Sequence, residues 1–379
     1  MKGDEVTSEE TTPRRNPFSA IGHGIDVMRD WWEHAKVWQR YLVYIGAVVF
    51  ALILPAPAIG SFMSPGADWT SVLVYPIGTY ILLAVGLNVV VGQAGLLDLG
   101  FVAFFAIGGY NVAYFGTQYH WNYWATVVMG IAMAAVSGVI LGAPTLRLRG
   151  DYLAIVTLGF GEIVRITANN ADVIGGARGI TNVPHPPPIF GTKFLLDPAP
   201  YYYLMIVAIA LVIIFSVRLQ KSRVGRAWAA IREDEDAAEL MGVPTFKFKL
   251  LAFAIGAMIG GLAGGVYAGK AVFIEPNTFP FILSATILAA VVLGGSGNLP
   301  GVILGAFLIG WLPERFRDFA EYRILIFGGV LVLMMALRPE GLLPSRRRKA
   351  ELREGTGGMG AMGAEVAGPT TEASAEVNQ

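Results

Sequence analysis

Apolar residues in this chain are grouped into long runs that are separated by short polar segments. About ten such runs lie at residues 41–59, 71–91, 96–116, 123–143, 152–168, 201–218, 247–270, 280–293, 300–312 and 323–337. A helix needs about 20 residues to cross the roughly 30 Å of hydrocarbon in a bilayer. The pattern therefore predicts an all-α fold, a polytopic transmembrane helical bundle of about ten helices. Because runs 280–293 and 300–312 are short, they are predicted to be half-helices or helices that continue into polar flanks.

The composition favours a membrane protein and excludes several other classes. The 379 residues are 54% hydrophobic and only 15% charged, whereas a soluble domain is about 25% charged. The formal net charge is zero, so no basic surface favours a nucleic-acid partner. Cysteine is absent, which excludes disulfides, thiolate metal sites and cysteine nucleophiles. The expected environment is the lipid bilayer.

The two ends of the chain are polar. Residues 1–40 are predicted to be a polar arm with an interfacial helix around Trp31, Trp32 and Trp38, because tryptophan is enriched at the depth of the lipid headgroups. Residues 346–379 lack apolar periodicity and are predicted to be a disordered cytoplasmic tail. Between them, residues 41–345 are predicted to form the transmembrane domain, with a cytoplasmic loop at 219–246.

Lysine and arginine are concentrated in alternate polar segments. The segments on one side hold Lys36, Arg40, Arg147, Arg149, Arg218, Lys221, Arg223, Arg226, Arg232, Arg346, Arg347, Arg348 and Lys349. The other side holds few, although segment 313–322 carries Arg315 and Arg317. Cytoplasmic loops carry an excess of these residues. The distribution therefore predicts a multi-pass protein of the plasma membrane with both termini in the cytoplasm.

The segment 224–242 is polar and is predicted to form one long helix between two apolar runs. Gly242, followed by Pro244, is a typical helix stop signal. Trp228 and Ile231 lie three residues apart and could enter a groove on a partner while the charged residues stay at the rim. The alternative is a solvated helix that only its own transmembrane spans hold in place.

Two glycine-interrupted segments resemble each other. Residues 91–100 (VGQAGLLDLG) are similar to residues 293–301 (LGGSGNLPG). Such segments at matching places in two halves point to a transport path, because unwound backbone offers hydrogen-bonding groups to a solute. The alternative is a pair of ordinary glycine turns. The candidate path residues are Asn88, Gln93, Asp98, Glu162, Ser296 and Asn298.

Two of these candidates are acidic and have a second interpretation. Glu162 lies three residues before Arg165, so the two could form a gating pair or a structural pair near the outer end of their span. Asp98 could line the path or cap the helix that follows it, since an acidic side chain is favourable at a helix N-terminus.

No residue pattern predicts catalysis in this chain. Residues 264–270 have the glycine and lysine spacing of a P-loop, but Ala271 stands where a serine or threonine must contact magnesium. The four histidines precede Ser296 and lie outside the apolar runs, so Ser296 is not expected to have a histidine base. We therefore expect no catalytic residue, metal site or cofactor here.

Several motifs resemble one transporter family. Residues 236–242 (DAAELMG) resemble the "EAA…G" loop of bacterial ABC importer permeases, with Asp236 in place of the first Glu. RAWAAIREDEDAAE, RLRGDYLAIVTLG, GGARGI and RPEGL resemble permeases of branched-chain amino-acid importers of the LivM type. The resemblance covers residues 40–345 approximately and implies the ABC importer permease architecture.

In that family the loop forms a coupling helix that docks on the ATP-binding subunit. By resemblance, the coupling residues are Gly225, Trp228, Ile231, Arg232, Asp236, Ala237, Ala238 and Gly242. Closure of the ATPases, which bind ATP and magnesium, would move this helix and switch the path from outward-open to inward-open. The other implied partners are a second, LivH-like permease and an external or periplasmic binding protein, which would deliver cargo near residues 169–200.

The implied cargo is leucine, isoleucine or valine, and a urea or short-chain amide importer is the closest alternative. A channel or secondary carrier that works without ATP is the alternative from another class. It predicts buried coupling acids in several spans, for which Asp98 and Glu162 are the candidates.

Overall fold

The computed structural model describes most of the predicted transmembrane domain. Described are residues 68–146, 148, 150–188, 194 and 197–316, together with 38, 46, 49–56, 60, 63, 328, 329, 332 and 341–343. The predicted interfacial helix, the C-terminal tail and most of the first and last apolar runs lie outside these residues. The chain divides into two compact units, 1–54 and 55–379. In the first, residues 49–53 are helical.

The second unit consists mainly of helices. They are α1 (Trp69–Gln93), α2 (Val102–Gln118), α3 (Tyr123–Thr145), α4 (Asp151–Asn170), α5 (Pro198–Lys221), α6 (Arg223–Glu233), α7 (Glu235–Leu240), α8 (Thr245–Ala271), α9 (Phe281–Gly294) and α10 (Leu299–Arg315). Two short strands, β1 (Ile180–Thr181) and β2 (Phe273–Ile274), pair antiparallel. This pair is the departure from the predicted all-α fold within the described residues.

Five helical segments are long and apolar enough to cross a membrane. They are Trp69–Gln93, Tyr123–Thr145, Pro198–Lys221, Thr245–Ala271 and Pro276–Gly294. Each coincides with a predicted run, which makes the chain a multi-pass membrane protein. The helices α2 and α10 are shorter, with 17 residues each. The total of about ten spans stays a prediction, because the first and last runs lie mostly outside the described residues.

The helix α8 lies at the centre of the bundle, against α2 and α3. A methyl group added to Gly108 of α2 would come within 2.1 Å of the carbonyl oxygen of Gly261, and one added to Gly264 within 2.1 Å of that of Phe105. These glycines let the two backbones approach more closely than any side chain would allow. Close approach through small residues is the usual basis of helix packing in membranes.

The helices α9 and α10 form a tight hairpin. A methyl group added to Gly294 would lie 2.2 Å from the carbonyl oxygen of Gly301. The helix α10 continues to Arg315, beyond the apolar run 300–312. This confirms the expectation that the short run extends into a polar flank. The hairpin carries the second of the two similar glycine segments at its turn.

Among the described residues, three of the predicted cytoplasmic segments contact one another, and two of the predicted external segments do so as well. On the first side, Arg232 contacts Gly92 and Gly95. On the other side, β1 pairs with β2, and the amide of Val183 donates to the carbonyl oxygen of Val272 at 3.1 Å. The bundle thus separates the two sets of loops, as a chain that crosses a membrane repeatedly must do.

Candidate coupling site

The segment 224–242 forms two helices, so the prediction of one long helix is wrong. The break is at Asp234, whose backbone is extended (φ −153°, ψ 112°). The Asp234 side chain accepts a hydrogen bond from the amide of Ala237 at 2.9 Å. An aspartate in this N-cap position stabilises the start of a new helix. The segment therefore has a bend in the middle, and α7 can point in its own direction.

Trp228 and Ile231 are buried within this chain. Trp228 has 0% of its surface exposed, and its indole N–H donates to the carbonyl oxygen of Phe248, in α8, at 2.7 Å. The prediction that these two side chains enter a partner's groove is therefore wrong for this structure. Their spacing on the helix correctly indicated an apolar face, but that face packs on the transmembrane bundle.

The tip of α7 is the exposed apolar part of the segment. Leu240 and Met241 are 88% and 85% exposed. The helix ends in a Schellman motif at Gly242 (φ +85°), whose amide donates to the carbonyl oxygen of Glu239 at 2.9 Å. The glycine stop signal is thus confirmed. Leu240 and Met241 were not among the predicted coupling residues, although two large apolar residues beside a helix stop in a polar loop were a usable signal.

The remaining predicted coupling residues divide into supporting and exposed positions. Gly225 allows the close turn after α5, since a methyl group there would lie 2.3 Å from the carbonyl oxygen of Gln220. Ala238 is buried, whereas Asp236 and Ala237 are exposed on α7. The helix α7 is tied to α8 by an ion pair between Glu235 and the buried Lys249.

Arg232 points into the bundle, so the prediction that the charges of this segment stay at the rim is wrong for this residue. Its Nη1 donates to the carbonyl oxygen of Gly92, at the end of α1. A methyl group added to Gly95 would lie 2.9 Å from Cγ of Arg232, so the arginine stem packs directly on that glycine. The coupling segment is therefore in contact with the first glycine segment.

The two similar glycine segments meet each other. The amide of Gly297 donates to Oδ1 of Asn88 at 2.8 Å, and a methyl group added to Gly92 would lie 2.6 Å from the same amide nitrogen. Ser296 is buried beside this contact, with 5% of its surface exposed. The internal similarity therefore marks two segments that are in contact, although about 200 residues separate them.

The short segment 341–343 closes the same region from another side. The amides of Leu342 and Leu343 donate to the carbonyl oxygens of Leu293 and Gly294 at 2.8 and 3.1 Å. The amide group of Asn298 donates to the carbonyl oxygen of Leu343 at 2.7 Å. In this conformation Asn298 holds that segment, and its place in a transport path stays a prediction.

The chain between α1 and α2 is irregular, and hydroxyl groups of other helices support it. The predicted run 96–116 becomes helical only at Val102. The amide of Leu99 donates to Oγ1 of Thr157 at 3.0 Å, and that of Val102 to Oγ of Ser284 at 3.1 Å. Irregular backbone at membrane depth is tolerated where protein surrounds it. This support explains why residues 94–101 can remain unwound inside the bundle.

Three buried side chains around this segment have polar atoms that lack a hydrogen-bond partner within the described part of the chain. Oδ1 of Asp98 accepts from the amide of Gly100 at 2.9 Å, and its Oδ2 has no partner. The same is true of Nδ2 of Asn88 and of both amide atoms of Gln93. Each such atom in a native structure needs an explanation. The bond to Gly100 closes a local turn before α2, which begins at Val102 and, among the described residues, has no side-chain cap on its N-terminus. The prediction that Asp98 caps the following helix is therefore wrong.

Glu162 belongs to a separate arrangement on α4. Its Oε2 accepts from Nη2 of Arg165 at 2.8 Å and from Nε at 2.9 Å. The expected pair is therefore present, with each side chain about one-third exposed. Glu162 pairs with Arg165 rather than with the glycine segments, and its role in gating stays a prediction.

These features define a class of protein, a polytopic helical membrane protein whose exposed loop helix is connected to buried glycine segments. Residues 70–335 match the family model of the branched-chain amino acid transport system permease component. The match covers more than half of the chain. The chain belongs to this family.

Curated relatives agree with this assignment. The chain is 45% identical over 299 residues to the high-affinity branched-chain amino acid transport system permease protein LivM of Escherichia coli strain K12, which covers 73% of this chain and 70% of that protein. A probable LivM of Methanocaldococcus jannaschii is 26% identical over 337 residues (74% and 94%). The E. coli K12 permease LivH is 24% identical over 285 residues (70% and 91%). No solved structure matches the chain.

Proposed function

We propose that this chain is the transmembrane permease subunit of an ATP-driven ABC importer for leucine, isoleucine and valine. The observation that carries the proposal is the 45% identity to LivM over most of both chains. The permease forms the translocation path and performs no chemistry itself. Its similarity to both LivM and LivH supports pairing with a second, LivH-like permease subunit.

In this proposal, the energy comes from separate ABC ATP-binding subunits, which bind ATP and magnesium. The ATPases dock on the tip of α7, where Leu240 and Met241 offer an apolar surface. An amphipathic helix that inserts large apolar residues into a groove is a common recognition mode. An external or periplasmic binding protein delivers the amino acid on the opposite side of the membrane.

The proposed path runs beside the unwound segment between α1 and α2. Asn88, Gln93 and Asp98 have unpartnered polar atoms there, and such groups can bind a solute when the surrounding helices separate. Both termini are proposed to lie in the cytoplasm, on the same side as α7. ATP binding and hydrolysis shift the equilibrium between path conformations, because the ATPases hold α7 differently in each state.

Docking is tested by charging the tip of α7. We expect the double variant Leu240→Asp, Met241→Asp to lose the ATPase subunits during purification, because burying two carboxylates in an apolar groove is unfavourable. Since both residues are exposed, the melting temperature of the permease should not change. The control is Val173→Asp. Val173 is 73% exposed and lies in the predicted external loop, so this variant should retain the ATPases. Retention of the ATPases by the double variant would contradict docking at this tip.

Cargo is tested with the whole transporter in proteoliposomes. With ATP inside the compartment that faces α7, the complete assembly should accumulate radiolabelled leucine, and unlabelled isoleucine and valine should compete. Without ATP or without the ATPase subunits, accumulation should stop. ATP-dependent accumulation of urea or short-chain amides, with no uptake of leucine, would overturn the proposed cargo.

A further inference from the structure

We propose that Arg232 is a latch that holds the two glycine segments together and closes the cytoplasmic end of the path. This inference rests on the proposed function, because a latch of this kind requires a path that opens. It assigns Arg232 a position inside the permease and a role as a positioning residue rather than as a contact to the ATPase. When the ATPases displace α7 and the last turn of α6, the guanidinium withdraws and the glycine segments separate.

The first half of the latch is the end of α1. The last carbonyl groups of a helix lack partners within the helix and carry its partial negative charge. Nη1 of Arg232 donates to one of them, the carbonyl oxygen of Gly92. The arginine stem covers Gly95, whose backbone has φ +74° and whose added methyl group would lie 3.4 Å from Cβ of Arg232. Charge and packing therefore hold α6 against this segment.

The second half of the latch is the turn of the α9–α10 hairpin. A methyl group added to Gly297 would lie 3.0 Å from Nη1 of Arg232 and 3.0 Å from the carbonyl oxygen of Gly92. The guanidinium thus lies beside the point where both glycine segments meet. The hydrogen bond from Gly297 to Asn88 is at the same place. Moving Arg232 removes a charged group that contacts both segments at once.

The closed arrangement has a free-energy cost from buried polar atoms, and a latch can offset this cost. Nδ2 of Asn88, both amide atoms of Gln93 and Oδ2 of Asp98 are buried and have no hydrogen-bond partner among the residues that the structure describes. Buried polar atoms without hydrogen bonds favour any state in which they can reach water or a solute. Separation of the glycine segments exposes these atoms, so the closed state needs a compensating contact. A charge-assisted hydrogen bond to Gly92 is such a contact.

The latch is connected to the proposed docking surface by a short path through the chain. Arg232 is in the last turn of α6, and the bend at Asp234 leads directly into α7. Trp228 anchors the middle of α6 on α8. Force applied at the tip of α7 therefore acts close to Arg232, while the buried tryptophan holds the rest of α6 in place.

The latch is tested by the accessibility of Gln93, using the assembled transporter without ATP. The chain has no cysteine, so Gln93→Cys is a single reporter for a thiol reagent added from the α7 side. We expect Arg232→Gln to increase the labelling rate about tenfold, within the usual range of coupling between sites. The control Arg226→Gln removes the same charge from the same helix, where Arg226 is exposed and donates to the carbonyl oxygen of Lys221 at 3.2 Å.

Equal labelling rates in Arg232→Gln, Arg226→Gln and the parent would overturn the latch. Loss of the ATPase subunits from Arg232→Gln, with the labelling rate of the parent in the permease that remains, would also overturn it and would make Arg232 a docking residue. Because labelling does not depend on cargo, these outcomes are independent of whether the transporter accepts leucine.

A covalent lock tests the same inference in the opposite direction. The pair Gly95→Cys and Arg232→Cys places two Cβ atoms about 3.4 Å apart, close to disulfide geometry. Oxidation should stop uptake and a reductant should restore it, whereas Gly95→Cys alone should not respond. Mass spectrometry shows whether the disulfide has formed. If it has formed and uptake continues at the rate of the reduced protein, the latch is not required to open and the inference fails.

Discussion

At the scale of single residues, the two oxygens of the Asp98 carboxyl group have different surroundings. Oδ1 accepts from the amide of Gly100, while Oδ2 is buried and has no hydrogen-bond partner among the described residues. A carboxylate with a free oxygen inside a membrane protein is costly and usually marks a functional position. The turn contact with Gly100 was foreseeable because aspartate often bonds to a backbone amide two residues on, whereas the predicted helix cap did not form. The free oxygen was not foreseeable, since it depends on which neighbours the fold supplies.

Asp98→Asn separates the roles of these two oxygens. The variant keeps an acceptor for Gly100, so the melting temperature of the complex should stay close to that of the parent. If Oδ2 binds the solute, loss of the charged hydrogen bond costs about 1.5–3 kcal/mol, and half-maximal uptake should require about tenfold or more leucine. Asp98→Leu loses both contacts and should also be less stable. Normal uptake by a stable Asp98→Asn variant would restrict the residue to the turn contact with Gly100.

At the scale of elements, glycines in α2, α8, α9 and α10 make close contacts between helix backbones. The pairs Gly108–Gly261 and Gly294–Gly301 bring backbones together without a side chain between them. The high glycine content, 47 of 379 residues, indicated close helix approach in general. It could not indicate which helices approach, because partners in a bundle are far apart in sequence.

The glycine contact between α2 and α8 makes a testable prediction. In Gly264→Ala the new methyl group would lie 2.1 Å from the carbonyl oxygen of Phe105, so the helices must move apart, at a cost of about 1–3 kcal/mol. The melting temperature should fall in a thermal unfolding assay. Gly159→Ala in α4 is the matched control, because its methyl group meets no atom within 4 Å. Equal melting temperatures for the two variants would mean that this helix pair adapts freely.

At the scale of the whole molecule, the second unit sorts its loops into two sets. The end of α1, the segment α6–α7 and the turn of the α9–α10 hairpin contact one another. The β1–β2 pair belongs to the other set. The lysine and arginine distribution predicts the same two groups and adds an absolute direction, which the contacts alone do not contain.

The absolute direction is tested by labelling from each side of the membrane. Lys221 and Val173 are both exposed and belong to different loop sets. In the cysteine-free chain, Lys221→Cys should react with a membrane-impermeant maleimide only from the cytoplasmic side. Val173→Cys should react only from the outside, because the positive-inside rule places α6 in the cytoplasm. The reverse pattern would invert the proposed topology, and labelling of both variants from one side would contradict the sorting of the loops.

The sequence by itself determined the transmembrane character, the position of most described helices and the family motifs. Bilayer thickness sets the length of apolar runs, and such a signal is local along the chain. The sequence also showed that the two glycine segments are similar, but it did not show that they are in contact. The tertiary structure decided that these segments touch, that Trp228 and Ile231 face the bundle, that Leu240 and Met241 face outwards, and that Arg232 turns inwards. These outcomes depend on contacts between residues far apart in the chain. An apolar or charged helix face does not specify whether it will pack against its own bundle or against another subunit.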